Sequence, residues 1–142
     1  MTRQEIIAFF AGRQSRWDAH DAVALAADHA EGGTVLSPMH GTRRGRHAIA
    51  GSYRALFEAF PDWRFMSEDL VIDGDRVAQT FSAEAMHVGD FMGLAGTNRR
   101  FRVQGVRVYD MADGLIQSER RYYDFTSLLI QIGVLRGKPA KD

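Results

Sequence analysis

Apolar positions change their period twice along the chain. Thr2 with Glu5 three residues later has the form of a capping box, and Ile6, Phe9, Phe10 and Trp17 follow at near-helical spacing, which predicts a first helix. His20-Asp21 interrupts this pattern, and Asp21 is placed to cap a short second helix over 22–29, ending at Glu31-Gly32-Gly33. The segment 34–39 is β-prone but broken by Pro38, which suits an edge strand. Ile49, Tyr53, Leu56 and Phe60 then recur at i, i+4, i+7 and i+11 between Gly45 and Pro61, a one-sided stripe that must face a core.

From Trp63 the period turns from helical to alternating, with strands expected over 63–72, 76–88, 99–109 and 115–123. Asp73-Gly74 and Asp113-Gly114 supply turn residues that tolerate positive φ. Strands longer than about ten residues imply strong twist and bulges, because a flat sheet would neither curve nor cover a core. Leu128, Leu129 and Ile132 mark a short closing helix that stops at Gly133, and 136–142 reads as a polar, frayed tail. Helices segregated from a strand meander give an α+β class, with helices packed on a curved antiparallel sheet around an apolar pocket and one domain over 1–142.

Composition narrows the function. Lys plus Arg and Asp plus Glu both total 18, so no net field favours nucleic acid or an anionic membrane. The basic stretch Asn98-Arg99-Arg100-Phe101-Arg102 reads as a solvated strand edge rather than a phosphate site. With no cysteine there is no disulfide framework, thiolate nucleophile or cysteine zinc site. No metal is expected from the histidines at 20, 29, 40, 47 and 87, whose spacing matches no helical ligand pattern, and no cofactor is expected because no phosphate or dinucleotide loop occurs. The N-terminus lacks the apolar core of a secretion signal and no apolar run approaches about 20 residues, so an unprocessed cytoplasmic chain is expected.

Three stretches carry a resemblance. Gly45-Arg46-His47-Ala48-Ile49 running to Phe57-Glu58-Ala59-Phe60-Pro61-Asp62-Trp63, the loop His87-Val88-Gly89-Asp90-Phe91-Met92-Gly93-Leu94, and Asp113-Gly114-Leu115-Ile116 through Tyr122-Tyr123-Asp124 to Gly133 appear in an order similar to the SnoaL-like polyketide cyclases. That family lies within the nuclear transport factor 2-like superfamily of cone-shaped α+β folds, also described as cystatin-like. The resemblance implies a cone-shaped sheet of four to six strands against about three helices, and homodimerisation. It departs from the family's pattern at Ala95-Gly96-Thr97-Asn98, where Pro-Thr-Gly is usual, and at Arg120 and Arg121, where tryptophan often stands.

In those cyclases an aspartate near the end of the last strand is the acid and base of an aldol closure, and Asp124 is the matching position. Such a carboxyl needs an apolar pocket to raise its pKa, whereas the alternative reading of Asp124 is a cap for the helix beginning at Phe125. His87 shares parity with Phe81, Ala83 and Ala85, pointing inward either to assist Asp124 or to secure the glycine loop. Counting parity from Ile116 places Ser118, Arg120, Tyr122 and Asp124 on one face of the last strand, inward if Ile116 is inward, while a bulge would equally turn Arg120 outward. Trp17, Tyr53, Phe57, Trp63, Phe81, Phe91 and Tyr122 are the expected pocket lining, with Phe91-Met92 on glycine hinges as a cover or a dimer contact.

The function expected is a cofactor-independent cyclase- or isomerase-type enzyme acting on a small hydrophobic carbonyl compound. The alternatives are epoxide hydrolysis by Asp124 with Arg120 or Arg107, and a non-catalytic ligand-binding or dimerisation domain.

Overall fold

The computed structural model describes residues 1–141. Its elements run α1 (Arg3–Asp18), α2 (Ala22–Ala27), β1 (His29–Ser37), β2 (Gly41–Arg44), α3 (Arg46–Ala59), β3 (Arg64–Asp73), β4 (Arg76–Met86), β5 (Arg100–Ala112), β6 (Leu115–Tyr123) and α4 (Phe125–Gln131). The six strands form one sheet in the order β2-β1-β6-β5-β4-β3, antiparallel throughout except for the parallel pair β1 and β6. This is the α+β architecture that the periodicity predicts.

Local chemistry places the helices. Thr2 and Glu5 close a reciprocal capping box, Asp21 accepts from Ala24 N, and Asp124 accepts from Ser127 N. The α3 stripe of Ile49, Tyr53 and Leu56, with Phe60 at its C-cap, is buried as its spacing requires.

Two expectations about strands are corrected. Pro38 lies past the end of β1 in the turn to β2, so it does not interrupt β1, which is an interior strand paired with β2 and β6. The edges are β3 and β2, and β2 is a short and largely exposed strand with no apolar pattern to announce it. The basic run opens β5, where Arg100 and Arg102 are exposed and Arg100 pairs with Asp62 at 2.8 Å. Residues 136–141 carry no regular structure, and Asp142, the last residue of the expected frayed tail, lies outside the described residues.

Two apolar clusters fill the space between helices and sheet. Ile6, Phe10, Val77, Tyr109, Met111 and Ile116 close one end, and a larger cluster around Tyr53, Phe60, Trp63 and Phe81 extends toward α4 and the loop after β4. That loop is pinned: Val88 N and Gly89 N both donate to Ala59 O at 3.0 Å. A Cβ on Gly89 would meet Glu58 O at 2.2 Å, so this glycine permits a close backbone approach rather than serving as the hinge expected of it.

Candidate functional site

The last strand carries the decisive local feature. Asp110 pairs with Ser118 but Met111 pairs with Ile116, leaving Gln117 as an extra residue. This bulge inverts the alternation beyond it. Ile116, Glu119 and Arg121 are buried and Tyr123 is half-buried, while Tyr122 is 52% exposed. The parity expected from Ile116 therefore fails: Tyr122 does not line the interior, and Tyr123 does.

Asp124 is exposed, and its carboxylate oxygen accepts from Ser127 N at 2.8 Å as the cap of α4. The burial on which its catalytic assignment depends is not present. His87 is fully buried, but Thr97 N donates to its Nδ1 at 3.4 Å, and its ring packs on Phe60 and Phe91, so it secures the loop after β4.

What the fold brings together instead is an ionic cluster within the cone. Arg13 falls on the buried α1 stripe with Ile6, Phe10 and Trp17, and Arg107 faces inward on β5 with Phe101, Val103 and Tyr109. Arg107 and Arg121 are direct cross-strand partners, a like-charge juxtaposition that an anion must relieve. Glu119 supplies it: its Oε2 lies 3.3 Å from Arg107 Nη1 and accepts from Arg121 Nε, while Oε1 is 3.6 Å from Arg13 Nη2. Arg13 also donates to Asp28 at 2.9 Å and to the Tyr53 hydroxyl at 2.6 Å, and Arg121 donates to that same hydroxyl at 3.1 Å.

These contacts set the charge states. Burial alone would raise the Glu119 pKa, but Arg121, Arg107 and Arg13 together outweigh it and hold the carboxyl well below its ordinary range. Burial, then the positive charge of Arg13, pushes His29 down to about 3, so its ring is neutral and its Nε2 lies 3.4 Å from Arg13 Nη2. Arg107 is set apart among the three arginines: burial, then Arg121, lowers its pKa. Its guanidinium stacks over the rings of Phe65, Phe81 and Trp17 at 4.5, 4.8 and 5.0 Å, and its Nε has no partner.

Arg107 and Arg121, with Trp63, Phe81, Val103 and Tyr123, line an inner cavity of about 20 Å³. That space suits a single water-sized group. Met39 and Leu56 line it too, and both also border an outer groove of about 370 Å³ that includes His40, Ser52, Asp90, Phe91 and Met92. A wider cleft of about 540 Å³ between α1 and β3 touches none of the cluster.

Of the expected lining residues, Trp63 and Phe81 reach the inner cavity and Phe91 the groove. Trp17 and Tyr53 are packed core, and Phe57 is half-buried against Trp17 and a stacked His20 ring. Arg107 meets one carboxylate, Glu119, rather than Asp124, so the arrangement expected for epoxide hydrolysis is not assembled there. Among the described residues, no group of three His, Cys, Asp or Glu side chains is placed to hold a metal, and no helix is long and apolar enough to cross a membrane.

Solved structures share this architecture. TsrD from Streptomyces laurentii superposes with a TM-score of 0.83 at 21% identity, covering 95% of this chain and 99% of that one. AclR from Streptomyces galilaeus, a proposed hydroxylase, gives 0.81 at 21% identity over 97% and 91%. IdmH from Streptomyces antibioticus, a proposed polyketide cyclase, gives 0.74 at 26% identity over 89% and 96%. No curated protein sequence matches. The family profile of the SnoaL-like polyketide cyclases matches residues 9–132, which spans the helices, the sheet and the buried cluster, and the chain belongs to that family.

Proposed function

We propose that the chain is a cofactor-independent enzyme of the cyclase or isomerase kind. It takes a small hydrophobic carbonyl compound into the outer groove and stabilises the enolate oxygen of that compound on Arg107 and Arg121. The observation that carries this reading is the pair of guanidiniums lining the inner cavity, one of them with an unpartnered Nε. The groove accommodates the body of a flat ligand, and the cavity admits one oxygen atom. Donors fixed in a water-poor site stabilise charge that develops during reaction far better than they stabilise a neutral ground state. Glu119 neutralises part of the cluster and holds both arginines in place, and its contact with Arg107 is through Nη1, leaving Nε without a partner.

The test is exchange of the α-protons of 2-tetralone in deuterated buffer, followed by NMR. The expected outcome is exchange above the buffer rate, reduced about 100-fold in Arg107→Met, the size typical for loss of one oxyanion donor. The inner cavity is small enough to favour a second reading, a domain that binds such a ligand without turning it over. Quenching of Trp63 fluorescence by 2-tetralone with no exchange above buffer would select it.

A further inference from the structure

The enolate reading leaves a proton unassigned, and two side chains bordering the outer groove can take one: Asp90, which is exposed, and His40, which is half-buried. His40 sits in the turn between β1 and β2 and borders the groove with Met39, Leu56 and Phe91. Its Nδ1 lies 2.9 Å from Gly41 O. A carbonyl oxygen only accepts, so Nδ1 carries the hydrogen, and in a neutral ring the lone pair is then on Nε2. That Nε2 is buried and has no partner.

We propose that His40 is the general base of this site, its Nε2 removing the α-proton of the carbonyl compound held in the groove. The proposal rests on the enolate-stabilising reading above. In the step, the C–H pair becomes the C=C bond, the carbonyl π pair moves to the oxygen facing Arg107 and Arg121, and the proton resides on Nε2. It then passes to the carbon or oxygen of the product and the neutral ring is restored. Met39 and Leu56 border both spaces, and the step requires the compound to pass between them, its oxygen in the cavity and its α-carbon on the groove side.

The backbone of His40 is held on both sides: His40 N donates to Ser37 O at 3.3 Å, and His40 O accepts from Arg43 Nη1 at 2.9 Å. The charged groups around it are Arg43 on β2, Asp90 in the loop after β4, and Arg121 and Glu119 on β6, while α3 presents Ser52, Ala55 and Leu56. Burial, followed by Arg121, lowers the ring to about 4, so it is neutral at physiological pH. The charge of Arg121 that weakens the base also favours the enolate, so base and carbon acid shift together.

The experiment uses the full chain with 2-tetralone as probe. His40→Gln should reduce α-proton exchange at least about 100-fold, with quenching of Trp63 fluorescence by the probe unchanged, and ¹⁵N NMR of the wild-type imidazole should show the Nδ1–H tautomer. Exchange that persists in His40→Gln, or an Nε2–H ring in the wild type, overturns the base assignment and leaves the arginine reading standing. A wild type that binds the probe without exchange overturns both. The NMR observation holds whether or not the variant folds.

Discussion

Glu119, inside β6, and Asp124, just past its end, are two carboxylates of one strand with opposite fates. Glu119 is 1% exposed and gathers Arg13, Arg107 and Arg121 around it, whereas Asp124 is exposed and accepts the amide of Ser127. The residue types are nearly equivalent, and what separates them is Gln117, the extra residue that turns Glu119 inward. A carboxylate surrounded by guanidiniums inside a protein becomes a structural anion, and one at a helix start becomes a cap. Neither has the solvent-poor, charge-free setting that makes a carboxyl an acid-base group at neutral pH.

The largest test of this contrast is Glu119→Gln. Removing the anion leaves the buried guanidiniums of Arg107 and Arg121 uncompensated, while Arg13 keeps Asp28, and breaking a buried pair costs about 3–5 kcal/mol. Urea denaturation should show that loss, and an unchanged midpoint would mean that Glu119 does not hold the cluster. Arg107→Met removes a cation that repels Arg121, so stability should hold or rise while exchange activity falls, separating the arginine's chemistry from its contribution to folding.

Acid provides the next test. Glu119 and the buried His29 both have folded pKa values below their unfolded ones, so the unfolded chain binds the extra protons as pH falls. Their stabilisation is complete above the unfolded values of about 6.5 for histidine and about 4.3 for glutamate. It should decline from pH 6.5 downward as the unfolded histidine protonates, steepen at about pH 4.3 as the unfolded glutamate protonates, and below the His29 value of about 3 continue through Glu119 alone. A urea midpoint constant from pH 7 to pH 3 would contradict the cluster's charge assignment.

At the other carboxylate the effects shrink. Asp124→Ala should cost about 1 kcal/mol through loss of the cap, and Asp124→Asn only a few tenths, since asparagine caps as well. Both should leave α-proton exchange intact. If Asp124→Asn abolished exchange without moving the denaturation midpoint, the contrast between the two carboxylates would be broken and the acid-base assignment would return to Asp124.

Much of the fold was legible because its signals are local. The Thr2–Glu5 capping box, the Asp21 cap, the Ile49 to Phe60 stripe and the two Asp-Gly turns each depend on neighbours within a few residues. The site was mostly not legible, for a reason visible at Gln117. Alternation assigns faces only while the register is unbroken, and a bulge leaves no distinctive residue in a single sequence. Two members of the cluster did leave a trace. Arg13 continues the α1 stripe from Ile6 and Phe10 to Trp17, and Arg107 keeps parity with Phe101, Val103 and Tyr109. A basic residue in phase with a buried apolar face is the pattern that marks such a cluster, because its charge demands a partner inside.

The contact between α4 and β5 bears on how the chain behaves in company. Pairing of β5 with β6 ends at Gly105 and Tyr123, and beyond that point Gln131 takes the place of a neighbouring strand, its amide accepting from Arg102 N and donating to Arg102 O. One side-chain amide thereby imitates a peptide group and occupies a stretch of strand edge that would otherwise be open to pairing. Gln131→Ala would open it, and the expected signature is concentration-dependent association beyond that of the wild type, read by light scattering, with the urea midpoint barely changed.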